Sequence, residues 1–284
     1  MMNSLLESVS KRFAEAGIDS ARNDAELLLA HLLKLGKGEL QAKLVSGEIE
    51  LSPEQSEAFE VLVTRREARE PLQHLTGEAH FRTLTLEVGK GVFVPRPETE
   101  YVTGLAIDGI RTMNLDSPTV VDLCAGSGAI GLAIATEIAD ARVFAVEKSE
   151  DAYPFASRNY ARIAPERGEV VLGDLDGAFP QLNGTVDWLI SNPPYIPADM
   201  IPVYPEVALH DPSLALYAGH DGLDVIRLVS KNALRLVRVG GGLTIEHADM
   251  QGSQVRQLLL DDGWHDVQTH QDFNGRDRAT TAIR

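Results

Sequence analysis

Basic residues are what this chain of 284 residues has too few of: 26 Lys and Arg stand against 42 Asp and Glu, a formal net charge of −16 at pH 7. A field of that sign repels phosphate backbones at long range. It counts against nucleic acid as the main substrate and favours a small cationic ligand or a protein. No stretch interleaves basic and aromatic residues as a nucleic-acid grip would. Cysteine is nearly absent. The one residue, Cys124, excludes internal disulfides and a cysteine-built zinc site. No apolar run approaches the roughly 18–20 residues of a membrane span, and Met1 to Glu15 has no long apolar core like that of a signal peptide. A cytoplasmic protein is expected. The eight histidines form no ligand spacing. No metal is expected, and His247 is read as structural. There is no internal repeat and no low-complexity tract.

What is present changes character along the chain. Up to about residue 70 the apolar spacing is helical. Leu5, Leu6, Val9 and Phe13 mark one helix that stops at Gly17. Ala25, Leu28, Leu29, Leu32 and Leu33 mark a second, from Ser20 to Leu35, ended by Gly36. A third is expected from Ser52 to Arg69, opening on Ser-Pro-Glu-Gln. From Phe81 to Val94, two short apolar runs flank Gly89-Lys90-Gly91, which predicts a β-hairpin turning there. The hairpin leads into Pro95-Arg96-Pro97-Glu98-Thr99-Glu100 and a helix to Met113. After Pro118, strands near 119–123, 142–146, 169–172, 186–190 and 242–245 alternate with helices. That alternation implies a mostly parallel sheet covered on both faces. Two late strands, near 266–270 and 280–283, suggest an antiparallel edge.

In open α/β sheets ligands bind beyond the carboxyl ends of the strands, and four such ends carry suitable groups. After the first strand, Cys124-Ala125-Gly126-Ser127-Gly128 is a glycine-rich turn into a helix. It is either a tight turn or a place where backbone approaches a ligand. Glu147 ends Phe144-Ala145-Val146, 19 residues after Gly128, where an acid can accept from ribose hydroxyls. Asp174, followed by Leu175, is either a turn residue or an acceptor for an adenine amino group. The fourth end is Asn192-Pro193-Pro194-Tyr195. Two prolines hold φ near about −65° and prevent a helix from starting there. The carbonyls of Asn192 and Pro193 stay free, beside the Asn192 side-chain oxygen and the flat face of Tyr195. Such a corner either ends a strand or receives a planar –NH2 group.

Together these residues resemble the class I S-adenosylmethionine-dependent methyltransferases, and more closely the glutamine-N5 methyltransferases that modify peptide chain release factors. The resemblance runs through Gln73–Gly77, Pro95–Glu100, the glycine-rich loop, Asn192–Tyr195, Asp211–Leu216, Gly240–Gly242 and Asp272–Arg278. It implies a Rossmann-like α/β fold with a mostly parallel seven-stranded sheet. It also implies a helical bundle at 1–75 that docks the partner, a hairpin linker at 76–97 and a methyltransferase domain at 98–284. By resemblance the cofactor is S-adenosyl-L-methionine, leaving S-adenosyl-L-homocysteine. Cys124, Ala125, Gly126, Ser127 and Gly128 approach its amino-acid part, Glu147 its ribose, Asp174 and Leu175 its adenine, with Asn192 also at the cofactor. Asn192, Pro193, Pro194 and Tyr195 hold the substrate glutamine, and Asn192, Pro193 and Tyr195 carry the catalysis. The implied partner is a release factor with a GGQ-type motif, met by a monomer with no membrane and no sequence-specific nucleic acid. A ribosomal-protein glutamine or a nucleic-acid adenine is the competing methyl acceptor. A nicotinamide-dependent oxidoreductase would use Gly126 to Gly131 but leaves Asn192 to Tyr195 unexplained, and a non-catalytic binding module leaves all four strand ends unexplained. One position departs from the family's Asp-x-Gly-x-Gly-x-Gly loop: Cys124 replaces the first glycine. If that position needs positive φ, the cysteine is strained.

Overall fold

The computed structural model describes residues 2–284. Contacts divide it into two units. One comprises the N-terminal residues through Glu78 together with Val203–His210; the other comprises Ala79–Pro202 and Asp211–Arg284.

The first unit is helical: α1 Met2–Glu15, α2 Ala21–Leu33, α3 Lys37–Ser46, α4 Pro53–Glu67 and α5 Leu72–Thr76. Leu6, Val9 and Phe13 of α1 meet Ala25, Leu28 and Leu29 of α2 in one buried cluster. As expected, α4 opens on a capping box: Ser52 Oγ accepts from the Gln55 N–H and Gln55 returns to the Ser52 N–H. Helix α3 was not foreseen. Only Leu40 and Leu44 mark its buried face, and Gly36, read as a stop, is its N-cap. The stop of α2 falls instead on Lys34, in the left-handed region at φ 56°.

After the helices come β1 Glu78–Phe81 and β2 Leu84–Glu87, a small two-stranded sheet that, from Ala79 on, belongs to the second unit. The hairpin is real, but its turn is Arg82-Thr83 rather than Gly89-Lys90-Gly91, and Val92–Val94 is not a strand. Arg82 takes the left-handed turn conformation itself, at φ 52°. The two glycines serve close packing instead. A Cβ at Gly89 would lie 2.7 Å from the Phe155 ring, and one at Gly91 2.7 Å from the Asp151 Cβ.

There follow α6 Pro97–Thr112, β3 Thr119–Leu123, α7 Ala129–Glu137, β4 Arg142–Glu147, α8 Tyr153–Ile163, β5 Gly168–Leu172 and β6 Val186–Ser191. Then come α9 Pro205–His210, which belongs to the helical unit, α10 Ser213–Leu216, α11 Asp224–Leu236, β7 Val237–Glu246, α12 Gly252–Asp262, β8 His265–Gln271 and β9 Asp277–Ile283. The sheet has seven strands in the order β5-β4-β3-β6-β7-β9-β8. β3 to β7 pair parallel, and β9 and β8 form the antiparallel edge, as the alternation of elements predicted. Successive side chains of a strand point to opposite faces. Val120 joins Ile107, Leu132 and Tyr160 in one buried cluster, while Val121 joins Ile226, Val229 and Leu259 in another. The central strands β3 and β6 are therefore buried on both faces, and ligands can reach them only from their ends.

Within the helical unit, α9 is tied down by charge. Arg66, side chain 6% exposed, donates to Asp24 at 2.9 Å and to Glu206 at 3.0 Å, and Arg69 donates to the other oxygen of Glu206 at 2.5 Å.

Candidate active site

Chain order reverses direction across the sheet between β3 and β6, which is where open α/β sheets bind ligands. Leu123 pairs with Val146 on one side and Ser191 on the other, Glu147 with Leu172, and Ser191 with Ile245. The carboxyl ends of five neighbouring strands thus form one row. The Ser191 hydroxyl fixes part of it by donating to the Leu123 carbonyl at 2.5 Å.

The loop after β3 is held from both sides. The Ala125 N–H donates to the Val146 carbonyl at 3.0 Å, and the Gly126 N–H donates to Glu147 Oε2 at 2.7 Å. Glu147 Oε1 accepts from the Ser149 N–H, also at 2.7 Å. Burial pushes the Glu147 carboxyl up, against these amide bonds. With the Gly126, Ser149 and Lys148 amides upon it, the carboxylate still has capacity to accept from a ligand hydroxyl. Gly126 and Gly128 have φ of 58° and 85°, and a Cβ at Gly126 would meet nothing within 4 Å, so that side of the loop is open. Cys124, standing in place of the first glycine, has φ 68°. The position does require the left-handed region, and the cysteine is strained. Burial and the neighbouring Glu147 push its thiol well above the ordinary range, so it is a neutral group and not a nucleophile. Beneath the loop, Asp122 is fully buried and accepts from the Gly131 N–H at 3.0 Å; burial raises its carboxyl to about 7.

Asp174 lies at the end of β5 but is not joined to Glu147 through its side chain. Its Oδ2 is paired with Lys148 Nζ at 2.8 Å and its Oδ1 accepts from the Asp176 N–H at 2.9 Å. The lysine lowers its pKa. Leu175 is buried beside it.

After β6, Pro193 is buried while Asn192, Pro194 and Tyr195 are half-buried. Asn192 Nδ2 donates to Thr99 Oγ1 at 3.1 Å, so the amide turns its Oδ1 away from that contact. Thr99 belongs to the Pro95–Glu100 loop and is buried at the first turn of α6. The Tyr195 hydroxyl is 3.4 Å from Glu246 Oε1, and the Tyr195 carbonyl accepts from Gln251 Nε2 at 2.9 Å. A Cβ at Gly222 would lie 2.3 Å from that carbonyl oxygen, so only glycine fits there. Glu246 is 2% exposed. Burial raises its carboxyl to about 7, opposed by the Thr99 hydroxyl and the Arg278 guanidinium.

Thr99 and Glu246 were missed as site residues. The signal for Glu246 was present: it ends an apolar strand just as Glu147 does. His247 is buried and bonded to Thr280 Oγ1 at 2.9 Å, which agrees with a structural role. Among the described residues no group of three or more His, Cys, Asp and Glu side chains is placed to hold a metal, and no helix is long and apolar enough to cross a membrane.

This chain is similar to known proteins. Residues 4–77 match the family model described as the PrmC N-terminal domain, and residues 86–200 match that of the methyltransferase small domain. The release factor glutamine methyltransferase of Streptomyces coelicolor is 49% identical, with 99% of this chain and 98% of that protein covered. The chain belongs to the release factor glutamine methyltransferase family. Another relative, 39% identical over 98% of this chain and 95% of its own length, is the 4-amino-L-phenylalanine/4-methylamino-L-phenylalanine methyltransferase of Streptomyces pristinaespiralis. Among solved structures, the hMettl16 catalytic domain in complex with an RNA hairpin aligns at TM-score 0.54 and 13% identity, covering 70% of this chain and 75% of that one. That likeness shows the fold alone. With the family in place, the seven-stranded class I sheet and the helical N-terminal part foreseen from the sequence are borne out.

Proposed function

We propose that this chain methylates the side-chain amide nitrogen of a glutamine in peptide chain release factors, using S-adenosyl-L-methionine, in the cytoplasm. The observation that carries the reading is the orientation of Asn192. With Nδ2 spent on Thr99, its Oδ1 is left to accept, beside the Pro193 carbonyl that the two-proline corner keeps out of any helix.

The residues at the row of strand ends suit the cofactor. The open face at Gly126 admits close approach of its amino-acid part, and the Glu147 carboxylate retains lone pairs for ribose hydroxyls. Leu175 offers an apolar wall for adenine and Asp174 an acceptor for its amino group, with Lys148 competing for that acceptor. Bound there, S-adenosylmethionine supplies an electrophilic methyl group on a sulfonium.

An amide nitrogen is a poor nucleophile because its lone pair is delocalised into the carbonyl. Asn192 Oδ1 and the Pro193 carbonyl accept its two N–H hydrogens and push electron density back onto nitrogen. The same contacts strengthen as nitrogen becomes positive, so they favour the transition state over the ground state. The Tyr195 ring stacks on the planar amide and fixes its angle of attack; alignment of this kind can lower a barrier by roughly 7–11 kcal/mol. No base is needed before methyl transfer. The nitrogen gives up its proton after the new C–N bond forms.

The test is incubation with labelled S-adenosylmethionine and purified release factors, ribosomal proteins or 4-amino-L-phenylalanine in parallel, followed by mass mapping. A single methyl on a release-factor glutamine is expected. Transfer only to ribosomal protein or to the aryl amine would overturn the substrate assignment while keeping the corner's chemistry.

A further inference from the structure

A corner made of two prolines has little with which to hold itself. Neither Pro193 nor Pro194 has an N–H, each fixes φ but leaves ψ free, and Tyr195 adds two torsions of its own. Regular backbone pairing ends at Ser191 and resumes at Ile196. There the Ile196 N–H donates to the Leu216 carbonyl at 2.8 Å, and the Ala218 N–H donates to the Ile196 carbonyl at 3.0 Å.

Between these anchors one buried side chain takes hold of the backbone. Gln251, 2% exposed, ends the single turn Asp249–Gln251 that follows β7. Its Nε2 donates to the Tyr195 carbonyl at 2.9 Å and to the Asp221 carbonyl at 3.3 Å, and its Oε1 accepts from the Ala248 N–H at 3.0 Å. These partners permit one orientation of the amide, since carbonyls only accept and a backbone N–H only donates. Gln251 therefore joins three loops: the one after β6, the one before α11 and the one after β7. The fit is close. A Cβ on Gly222 would lie 2.7 Å from Gln251 Nε2 as well as 2.3 Å from the Tyr195 oxygen.

Fixing the direction of the Tyr195 carbonyl fixes ψ at that residue. With φ of both prolines already set, little freedom is left in how the corner leaves β6. We infer that Gln251 is a positioning residue for methyl transfer, bracing the Tyr195 carbonyl so that the Tyr195 ring and the Pro193 carbonyl meet the substrate amide at a fixed angle. The inference rests on the reading that Asn192, Pro193 and Tyr195 hold that amide.

Two substitutions separate this brace from mere packing. Gln251→Met keeps the length and apolar bulk but has no donor. Gln251→Glu keeps the shape and responds to pH. Ionised, the new carboxylate turns lone pairs toward two carbonyls. Protonated, it donates its O–H to the Tyr195 carbonyl and still accepts from the Ala248 N–H. The charged groups of the packed elements are Asp221, paired with Arg227 at 2.5 Å, Glu246 and Asp249 around the buried, neutral His247, and Asp277 and Arg278 of β9. Burial and this mostly negative set raise the pKa of a carboxyl placed there.

The test is single-turnover methyl transfer to a purified release factor at saturating S-adenosylmethionine. Each variant's rate is divided by the wild-type rate at the same pH, so that titrations common to both cancel. Gln251→Met should lose about 10²-fold at saturating release factor, the scale of a reacting group displaced by about 1 Å, with the half-saturating concentration little changed and the ratio flat with pH. Gln251→Glu should be slow in alkaline buffer, its ratio climbing toward one as the pH is lowered. S-adenosylhomocysteine affinity near that of the wild type shows that each variant is folded; if Gln251→Met lacks it, the acid rescue of Gln251→Glu decides alone. A wild-type rate in Gln251→Met, a loss confined to the half-saturating concentration, or a Gln251→Glu ratio that does not rise in acid would overturn the brace. A wild-type enzyme that methylates no release factor would instead overturn the functional reading beneath it.

Discussion

Replacing Cys124 by glycine should give a more stable protein than replacing it by alanine, the reverse of the order found at most positions. Both changes remove the thiol, so the loss of its packing cancels and the variants differ by the Cβ methyl alone. What remains is the backbone. At φ 68° an L side chain costs about 1–2 kcal/mol relative to glycine. Glycine gives back about 0.4–1 kcal/mol through its greater freedom in the unfolded chain. C124G should therefore exceed C124A by about 0.8 kcal/mol at the middle of these ranges and by at most about 1.6 kcal/mol, the middle value being worth about 2–3 °C in melting temperature for a chain of this size. The loop cannot escape the strain by relaxing, because Ala125 and Gly126 on its far side are pinned to Val146 and Glu147. Urea unfolding followed by tryptophan fluorescence is a clean assay. The two tryptophans, Trp188 and Trp264, are both buried in the α/β unit, so the signal reports on that unit. If C124A were as stable as C124G, the conformation at residue 124 would not carry the cost assigned to it.

Two further outcomes follow from the site. Gly222→Ala should slow methyl transfer while leaving S-adenosylhomocysteine binding intact, because the added methyl would sit 2.3 Å from the Tyr195 carbonyl and push the substrate corner out of place; unchanged turnover would show that the corner adapts. Glu147→Gln should weaken S-adenosylhomocysteine by about 10- to 100-fold, the worth of a hydrogen bond to a charged group. The sign with pH is set by burial, which raises the Glu147 carboxyl: ribose hydroxyls bond best to the charged form, so wild-type affinity should fall as pH is lowered and the substitution should blunt that fall. Calorimetry across pH reads both.

Much of the architecture was legible because it rests on local pattern. β-Branched runs alternating with helical periods dictated the parallel sheet, and late consecutive strands its antiparallel edge. Elements with thin signals were missed. Helix α3 buries only two leucines, and the hairpin turn at Arg82 uses a side chain where glycine was expected. Gly89 and Gly91 looked like turn residues but make room for Phe155 and Asp151, a demand that comes from residues 60 or more positions further along the chain. The strand-end groups were legible one by one. The partnerships that orient them were not, because Thr99 and Asn192, and likewise Tyr195 and Glu246, meet only in three dimensions. The strain at Cys124 could be stated from sequence as a condition, and the structure met it.

The account stands or falls on Asn192 as the acceptor for the substrate amide. The direct measurement is single-turnover methyl transfer by Asn192→Ala, made on enzyme shown by calorimetry to be loaded with S-adenosylmethionine. A loss of about 10²-fold or more is expected, the scale of removing one preorganised transition-state contact, with cofactor affinity retained. A rate within a few-fold of wild type on fully loaded enzyme would contradict it.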